Sequence, residues 1–333
     1  MAEYKIPIPK ASQTAFLAHK GKLPQNAGLI FERFVPDTKD DAKLKAEGLH
    51  TVLLAFKKAD KKLLEEWNVR WKQTIRAAEA ESFPMKTDWR MIAGLGKKGS
   101  LEVGFTFHRY GYPYLPGSSL KGLTRAYGLL EIAIAVEPAI KAKNEKEPLS
   151  KLDEFLSCEE QLKFEEGFKT YNPNADVLEM ATAFRQIFGT TESAGKAIFF
   201  DAIPSAKFSP RLELDIMNPH YPDYYKEMGT KDPKAYPTNW QSPIPVQFLT
   251  VASGSVFRFA IGWRRSPEDG KDNSEKKKEK WNGWFKGEQI NQKAKDESPR
   301  LIKLARRWLQ GGLLELGAGG KTSAGYGYFE DAS

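Results

Sequence analysis

The sequence predicts an α+β domain whose elements run β-α-β-β-α-β, the order of a ferredoxin-like fold, here with large insertions. Three observations predict it. Strand-like runs recur at 89–110, 196–203 and 244–262. Helical apolar spacing fills 118–136 and 286–310. A last, glycine-interrupted strand is expected over 313–329. With 333 residues, 41% of them hydrophobic, the chain is long enough for one large core or two small ones.

The elements follow in order. The first 50 residues are irregular, punctuated by Pro7, Pro9, Pro24 and Pro36. A helix begins after Asp60, its N-cap, and lines Leu63, Trp67, Trp71, Ile75 and Ala78 along one core-facing side. "WRMIAGLG" (89–96) and "LEVGFTFHRY" (101–110) read as strands, the second alternating Val103, Phe105 and Phe107. The next helix is expected to be capped by Ser118 or Ser119 and to carry Leu120, Leu123, Tyr127 and Leu130 as its stripe. A charged connection (141–150) leads to a helix over 177–189 that stops at Gly189. "KAIFFDAIP" (196–204) reads as a buried strand, and "RLELDIMNPHYPDYYKEM" (211–228) as a strand running into an aromatic, proline-rich loop. Two strands flank a turn at Gly254. An N-terminal extension and helix (1–85) is expected to pack on a core domain (86–333) with inserted helices at 141–190 and a mobile charged loop at 264–282.

The formal charge is +8, and the isoelectric point is about 9.2, which favours polyanionic partners. A single cysteine, Cys158, excludes an internal disulfide and multi-thiolate zinc, and suits a reducing compartment. The start "MAEYKIPIPK" has no apolar signal core. No run approaches the roughly 18 apolar residues of a membrane span. A cytoplasmic chain is expected. The four histidines (His19, His50, His108, His220) show no metal-ligand spacing, so neither a metal nor a cofactor is expected.

Two segments carry the chemistry. "LGAGGKTSAGYGYF" (316–329) contains the Gly320-Lys321-Thr322 ending of a nucleotide-binding loop. Glu315 occupies the place of the first required glycine, and no helix-forming sequence follows the lysine, so a Walker loop is excluded. Gly317, Gly319 and Gly320 still permit positive φ and close backbone approach. Successive amides there can form an anion nest, aided by Lys321, Thr322 and Ser323; a tight turn serving only the fold is the alternative. "PGSSLKG" (116–122) offers Ser118, Ser119 and Lys121 at a helix start, with Arg125 a turn further on. Such a start suits a phosphate or is an ordinary capped helix.

Together these segments resemble the signature segments of the RAMP superfamily, the repeat-associated proteins of CRISPR–Cas systems. "NAGLIFERF" (26–34), "FGTTESAGKAIFFDAIPS", "LELDIMNPHYPDYY" and "PTNWQSPIPVQFLTVASGSVFRFAIG" are similar to its Cmr (type III-B) branch, so the resemblance spans about 26–330. It implies a ferredoxin-like, RRM-related core with a thumb (204–243) between the second and third core strands. It also implies a non-catalytic structural subunit in a ribonucleoprotein that defends against foreign nucleic acid. The expected partners are guide RNA near its 3′ end, target RNA, the repeated backbone RAMP subunit and the first RAMP subunit. By position, Gly317, Gly319, Gly320, Lys321 and Thr322 would face guide phosphates, with Ser118, Ser119, Lys121, Arg125 and Arg109 beside them. Asp215, Asn218, His220, Tyr221 and Tyr224 would meet the guide–target duplex or a neighbouring subunit.

A second reading stays open. His108, followed by Arg109 and Tyr110, has the residue types of a metal-independent endoribonuclease that processes guide precursors. A histidine at a strand end also serves packing or touches phosphate. Asp215 and Asp223 are carboxylates suited to cleavage or to turns. Tyr221, Tyr224 and Tyr225 suit base stacking or interface packing. The lysine run "EKKKEK" (275–280) alternates with acids and reads as a solvated face.

Overall fold

The structure, a computed structural model, describes residues 8–18, 23–35, 42–96, 101, 103–143, 147–218, 221, 224, 227, 230, 236, 245–264 and 294–332. The charged run 265–282, the lysine run, His19, His220, Asp223 and Tyr225 lie outside the described residues. Helices are α1 (Lys10–Ala18), α2 (Ala27–Leu29), α3 (Ala42–Lys57), α4 (Lys61–Ala77), α5 (Gly117–Ala135), α6 (Glu137–Lys143), α7 (Pro148–Ser157), α8 (Gln161–Lys169), α9 (Ala175–Phe188) and α10 (Ala294–Gly311). Strands are β1 (Glu81–Thr87), β2 (Ala197–Phe199), β3 (Ile203–Pro204), β4 (Leu212–Met217), β5 (Val246–Val251), β6 (Val256–Trp263) and β7 (Phe329–Asp331).

The main sheet grows around β1. Phe83, Met85 and Thr87 are buried while Ser82 and Pro84 are exposed, a clean period of two. β1 pairs antiparallel with β6, Phe83 opposite Phe259, and with β7 over Met85–Thr87 only. β2 and β3 both pair with β6 on its other side. The resulting order is β2/β3, β6, β1, β7, all antiparallel. In chain order the sheet and its helices run β1, α5, β2/β3, β6, α10, β7.

This corrects the first strand assignment. The runs 89–96 and 101–110 are not strands. They form a buried extended excursion after β1, tied to itself where Thr106 N–H donates to the Ala93 carbonyl (2.7 Å) and Gly104 N–H to the Leu95 carbonyl (3.1 Å). Gly94 turns it at φ +84°, with no room for a side chain beside Thr106. The true strand was obscured by Pro84, which ordinarily demotes a strand. It is tolerated because β7 pairs only beyond it, so that among the described residues Pro84 has a neighbouring strand on one side alone. Likewise 313–329 is mostly helical turns (Gly312–Leu316 and Thr322–Ala324), and only Phe329–Asp331 is strand. "KAIFFDAIP" is broken into β2 and β3. The turns at Gly189 (φ +88°) and Gly254 (φ +74°) stand where expected.

One face of the sheet is covered by α5 and α10. Arg306 of α10 lies over Phe83 (4.7 Å to the ring) and pairs with Glu81. Trp308 is wholly buried and stacks on Phe188 (6.0 Å). Its Nε1–H donates to Glu131 of α5 (2.8 Å). Gly128 lets the helices meet, since a Cβ there would sit 3.1 Å from the Trp308 ring. The buried face of α5 runs through Leu120, Thr124, Gly128 and Ile132; Leu123, Tyr127 and Leu130 of the expected stripe are only partly buried. The inserted helices α7 and α9 pack beside α5, and α8 packs on α7.

Helix α4 is fastened to the β2/β3 edge of the sheet. Asp60 caps it, accepting from the amides of Lys62 (2.9 Å) and Leu63 (3.3 Å). Buried Asn68 donates to the Pro204 carbonyl (3.0 Å) and Trp71 Nε1–H to the Asp201 carbonyl (3.1 Å). A second, two-stranded ribbon forms from β4 and β5, with Asp215 opposite Phe248. The core therefore hinges on the Trp308 wedge. Trp308→Ala is expected to lower unfolding free energy by about 3–5 kcal/mol, read from the urea midpoint at an unchanged slope.

Candidate nucleic-acid interface

The glycine loop between α10 and β7 is clamped along its length. Gly320 N–H donates to the Ile92 carbonyl (2.8 Å), Gly327 N–H to the Arg90 carbonyl (2.8 Å), and Ala318 N–H to the Gly327 carbonyl (2.7 Å). Gly319 sits at φ +98°, and a Cβ there would fall 2.1 Å from the Ile92 carbonyl oxygen. Glycine is thus required by contact, not only by turn geometry. At the tip Lys321 adopts a left-handed conformation (φ 60°, ψ 33°), and Thr322–Ala324 form one turn of 3-10 helix ending at Gly325. The amides of Ala324, Gly325 and Tyr326 bond back to Lys321 or Thr322. Those of Lys321, Thr322 and Ser323 have no main-chain partner among the described residues. The Lys321 side chain bends over the ribbon, 3.9 Å from Met217 Sδ and 5.8 Å from the Phe248 ring centre.

A carboxylate holds this loop to the ribbon. Asp215 accepts from Arg90 (2.7 Å), from the Tyr326 hydroxyl (2.6 Å) and from the Ile216 amide (2.8 Å). Glu213 shares Arg90 at 3.3 Å. Burial opposes ionisation of Asp215, but these hydrogen bonds outweigh it and hold the group below its ordinary range. Burial and the adjacent carboxylate push the Tyr326 hydroxyl up to about 12. Asp215 stands inside strand β4, and its donors Arg90, Tyr326 and the Ile216 amide all belong to the fold. Asn218, just past β4, is exposed; Tyr221 and Tyr224 are half-buried.

The start of α5 differs from expectation. Pro116 is the N-cap residue and no side chain of α5 caps the helix. The carboxylate of Asp201 accepts the Gly117 amide instead (2.7 Å), leaving Ser118 and Ser119 exposed. A loop residue 84 positions downstream does the work that a local hydroxyl was expected to do. Arg125 is engaged by Asp153 (2.6 Å) and Ser157 (2.8 Å) and lies over Phe184. Lys121 has no carboxylate at ion-pair distance among the described residues. Burial, then the charges of Arg264 and Arg125, lower its pKa. The loop and this helix meet at their bases: a Cβ on Gly312 would lie 3.0 Å from Leu123, and the Tyr127 hydroxyl donates to Glu315 (2.9 Å).

His108 is packed. Its ring stacks on Trp67 (4.2 Å, 14°), edge-on to Tyr110 (4.7 Å) and Tyr114 (5.6 Å). Nδ1 accepts the Tyr110 amide at 3.4 Å. Burial, reinforced by Arg109, lowers its pKa. Arg109 is exposed at the tip of this turn. Among the described residues no cluster of three metal-ligating side chains forms, and no helix is long and apolar enough to cross a membrane. Arg90, Tyr326, Asp201 and Arg264 were not singled out by sequence. The one available signal was Asp215 itself, a carboxylate inside the strand "LELDIM" that needs a partner.

The Asp215 carboxylate contributes stability that is present above the unfolded carboxylate pKa. That stability is lost as pH falls through the lowered native value. Asp215→Asn is therefore expected to be less stable than the parent at neutral pH, with the difference closing in strong acid. Denaturant titrations across pH check this; a gap independent of pH would detach Asp215 from the loop. Gly319→Ala is expected to destabilise more than Gly325→Ala, because only the former meets a carbonyl.

Comparison with known proteins adds the family. The RAMP superfamily profile matches residues 83–330. The chain is 33% identical over 270 residues to "CRISPR system Cmr subunit Cmr6" of Pyrococcus furiosus, covering 76% of this chain and 68% of that protein. The crystal structure of Cmr6 from Pyrococcus furiosus aligns at 28% identity and TM-score 0.43, over 76% of this chain and 98% of that one. A chain of a cryo-EM structure of the Type III-B Cmr-beta complex bound to cognate target RNA aligns at 18% identity and TM-score 0.44, over 88% and 75%. With its matched segment running from β1 through β7 and including the clamped glycine loop, the chain belongs to the RAMP superfamily.

Proposed function

We propose that this chain is a non-catalytic, RNA-binding structural subunit of a type III-B (Cmr) effector, supporting interference against target RNA. The observation that carries the reading is the glycine loop, clamped so that the amides of Lys321, Thr322 and Ser323 stand at one tip without main-chain partners among the described residues, while the Lys321 side chain lies against Met217 and Phe248 of the neighbouring ribbon. Rigid amides with open donors suit a backbone phosphate, and RNA supplies a row of them. The likeness to a named Cmr subunit supports the assembly. In this proposal the guide lies with its 3′ end toward this subunit, beside the repeated backbone subunit and the first RAMP subunit.

The β-α-β-β-α-β chain order and the strand order β2/β3, β6, β1, β7 support a ferredoxin-like, RRM-related core. The ribbon β4–β5 would be the root of the thumb, with Asn218, His220, Tyr221 and Tyr224 beyond it toward duplex or neighbour. Asp215 would belong to that root. The N-terminal extension is best ended before Glu81, since β1 is an inner strand of the sheet. Ser118, Ser119 and Lys121 would line the second phosphate contact, with Arg125 shared with Asp153. Packing of His108 against Trp67 supports a structural role for that ring.

Replacing Lys321 and Lys121 together by Gln is expected to weaken single-stranded RNA binding. The salt slope should fall by about 1.4, two phosphates at roughly 0.7 each. An unchanged slope removes both lysines from the interface. Incubation of the protein with a repeat-containing transcript in EDTA is expected to leave the RNA intact. Defined cleavage lost in His108→Ala would instead establish the ribonuclease reading.

A further inference from the structure

Two guanidinium groups converge on one tyrosine where α4 meets the turn at 108–112. Arg70 of α4 stands 5.4 Å from the centre of the Tyr110 ring and Arg109 stands 5.1 Å from it. Arg109 also donates to the Tyr110 hydroxyl at 3.2 Å. Among the described residues neither arginine has a carboxylate at ion-pair distance. Glu66 precedes Arg70 by four residues, the spacing that favours a helical ion pair. Arg70 reaches to Tyr110 instead. Both arginines are exposed, so their outward N–H groups face solvent.

The platform under them is rigid. His108 N–H donates to the Tyr112 carbonyl (2.8 Å) and Gly111 N–H to the His108 carbonyl (2.8 Å), closing the turn. Asn26 Nδ2 donates to the Arg109 carbonyl at 2.8 Å. Gly111 sits at φ +79°, with Asn26 Oδ1 where a Cβ would be. Trp67 and His108 stack on each other and meet Tyr110 edge to face. Two like charges held against one ring, with no carboxylate at ion-pair distance among the described residues, concentrate positive potential and present N–H forks. Holding them in place beforehand removes much of the ordering cost of binding.

We infer that Arg70 and Arg109, braced on Tyr110, form a clamp for one phosphodiester of a single-stranded RNA, built from different segments than the glycine loop. The inference rests on the RNA-binding reading above and adds Arg70, Tyr110 and a defined geometry for Arg109. An acidic protein surface offers the same charge. The chain's net charge of +8 and the planar fork geometry favour phosphate.

The test uses the full chain and a fluorescently labelled single-stranded RNA, titrated at several salt concentrations. Arg70→Gln and Arg109→Gln are each expected to weaken binding about tenfold, the loss of one charged hydrogen-bonded contact. The double variant should lower the salt slope by about 0.7, one phosphate. Arg70→Lys with Arg109→Lys should keep the net charge yet fail to restore affinity. Thermal midpoints should stay at the parent value, since both side chains are exposed. Parent-like binding by the lysine double variant would reduce the patch to diffuse charge and overturn the clamp. So would an unaltered slope in the glutamine double variant when Lys321→Gln with Lys121→Gln still changes it. Unaltered RNA binding with loss of poly-glutamate binding would assign the patch to an acidic protein partner, also against the proposal. If the parent protein binds no RNA, the functional reading itself fails together with the clamp.

Discussion

The carboxylate of Asp215 joins three segments that are remote in sequence. Arg90 reaches it from the excursion after β1, Tyr326 from the glycine loop, and the Ile216 amide from its own strand. Remove that junction and the loop, the excursion and the ribbon lose their common point. The ribbon has its own β4–β5 ladder, but the excursion and the glycine loop are poor in regular structure and have none to fall back on. The ion pair is only partly buried, with 19% of the Asp215 side chain exposed, which keeps its desolvation cost moderate. Its value lies in fixing positions more than in raw stabilisation.

That fixing explains how an irregular tip can present a defined surface. Between Ala318 and Tyr326, which are buried, the glycines of the loop have no side chains with which to pack, so backbone contacts hold it: Ile92, Arg90 and Gly327 carbonyls each receive an amide. Close approach needs glycine, and close approach makes the loop stiff. A stiff loop with free amides at its end can bind an anion without first paying to order itself. The same logic recurs at the turn carrying Arg109, where Asn26 and Gly111 interlock.

Local chemistry was legible in the sequence. Asp60 as a cap, Gly189 and Gly254 as turns, and the glycine loop as something other than a Walker motif all depend on residues within a few positions of each other. Long-range arrangements were not. Asp201 takes the α5 start from 84 residues away, and Arg90 finds Asp215 across 125. No periodicity encodes such partners. The strand β1 carried its alternation openly in Phe83, Met85 and Thr87, but Pro84 hid it. The opposite error arose at 101–110, where real alternation belongs to an extended chain buried between other elements, paired with a loop and not a ladder.

Pro84 has one more consequence. β7 covers only Met85–Thr87, so among the described residues the first half of β1 has no strand on the side next to Pro84. An open strand segment of this kind is where sheets of different molecules join when many copies crowd together. A residue without an N–H, exposed at that position, removes a donor any incoming strand would need. An exposed proline there therefore disfavours edge-to-edge pairing of this sheet with the sheet of another molecule.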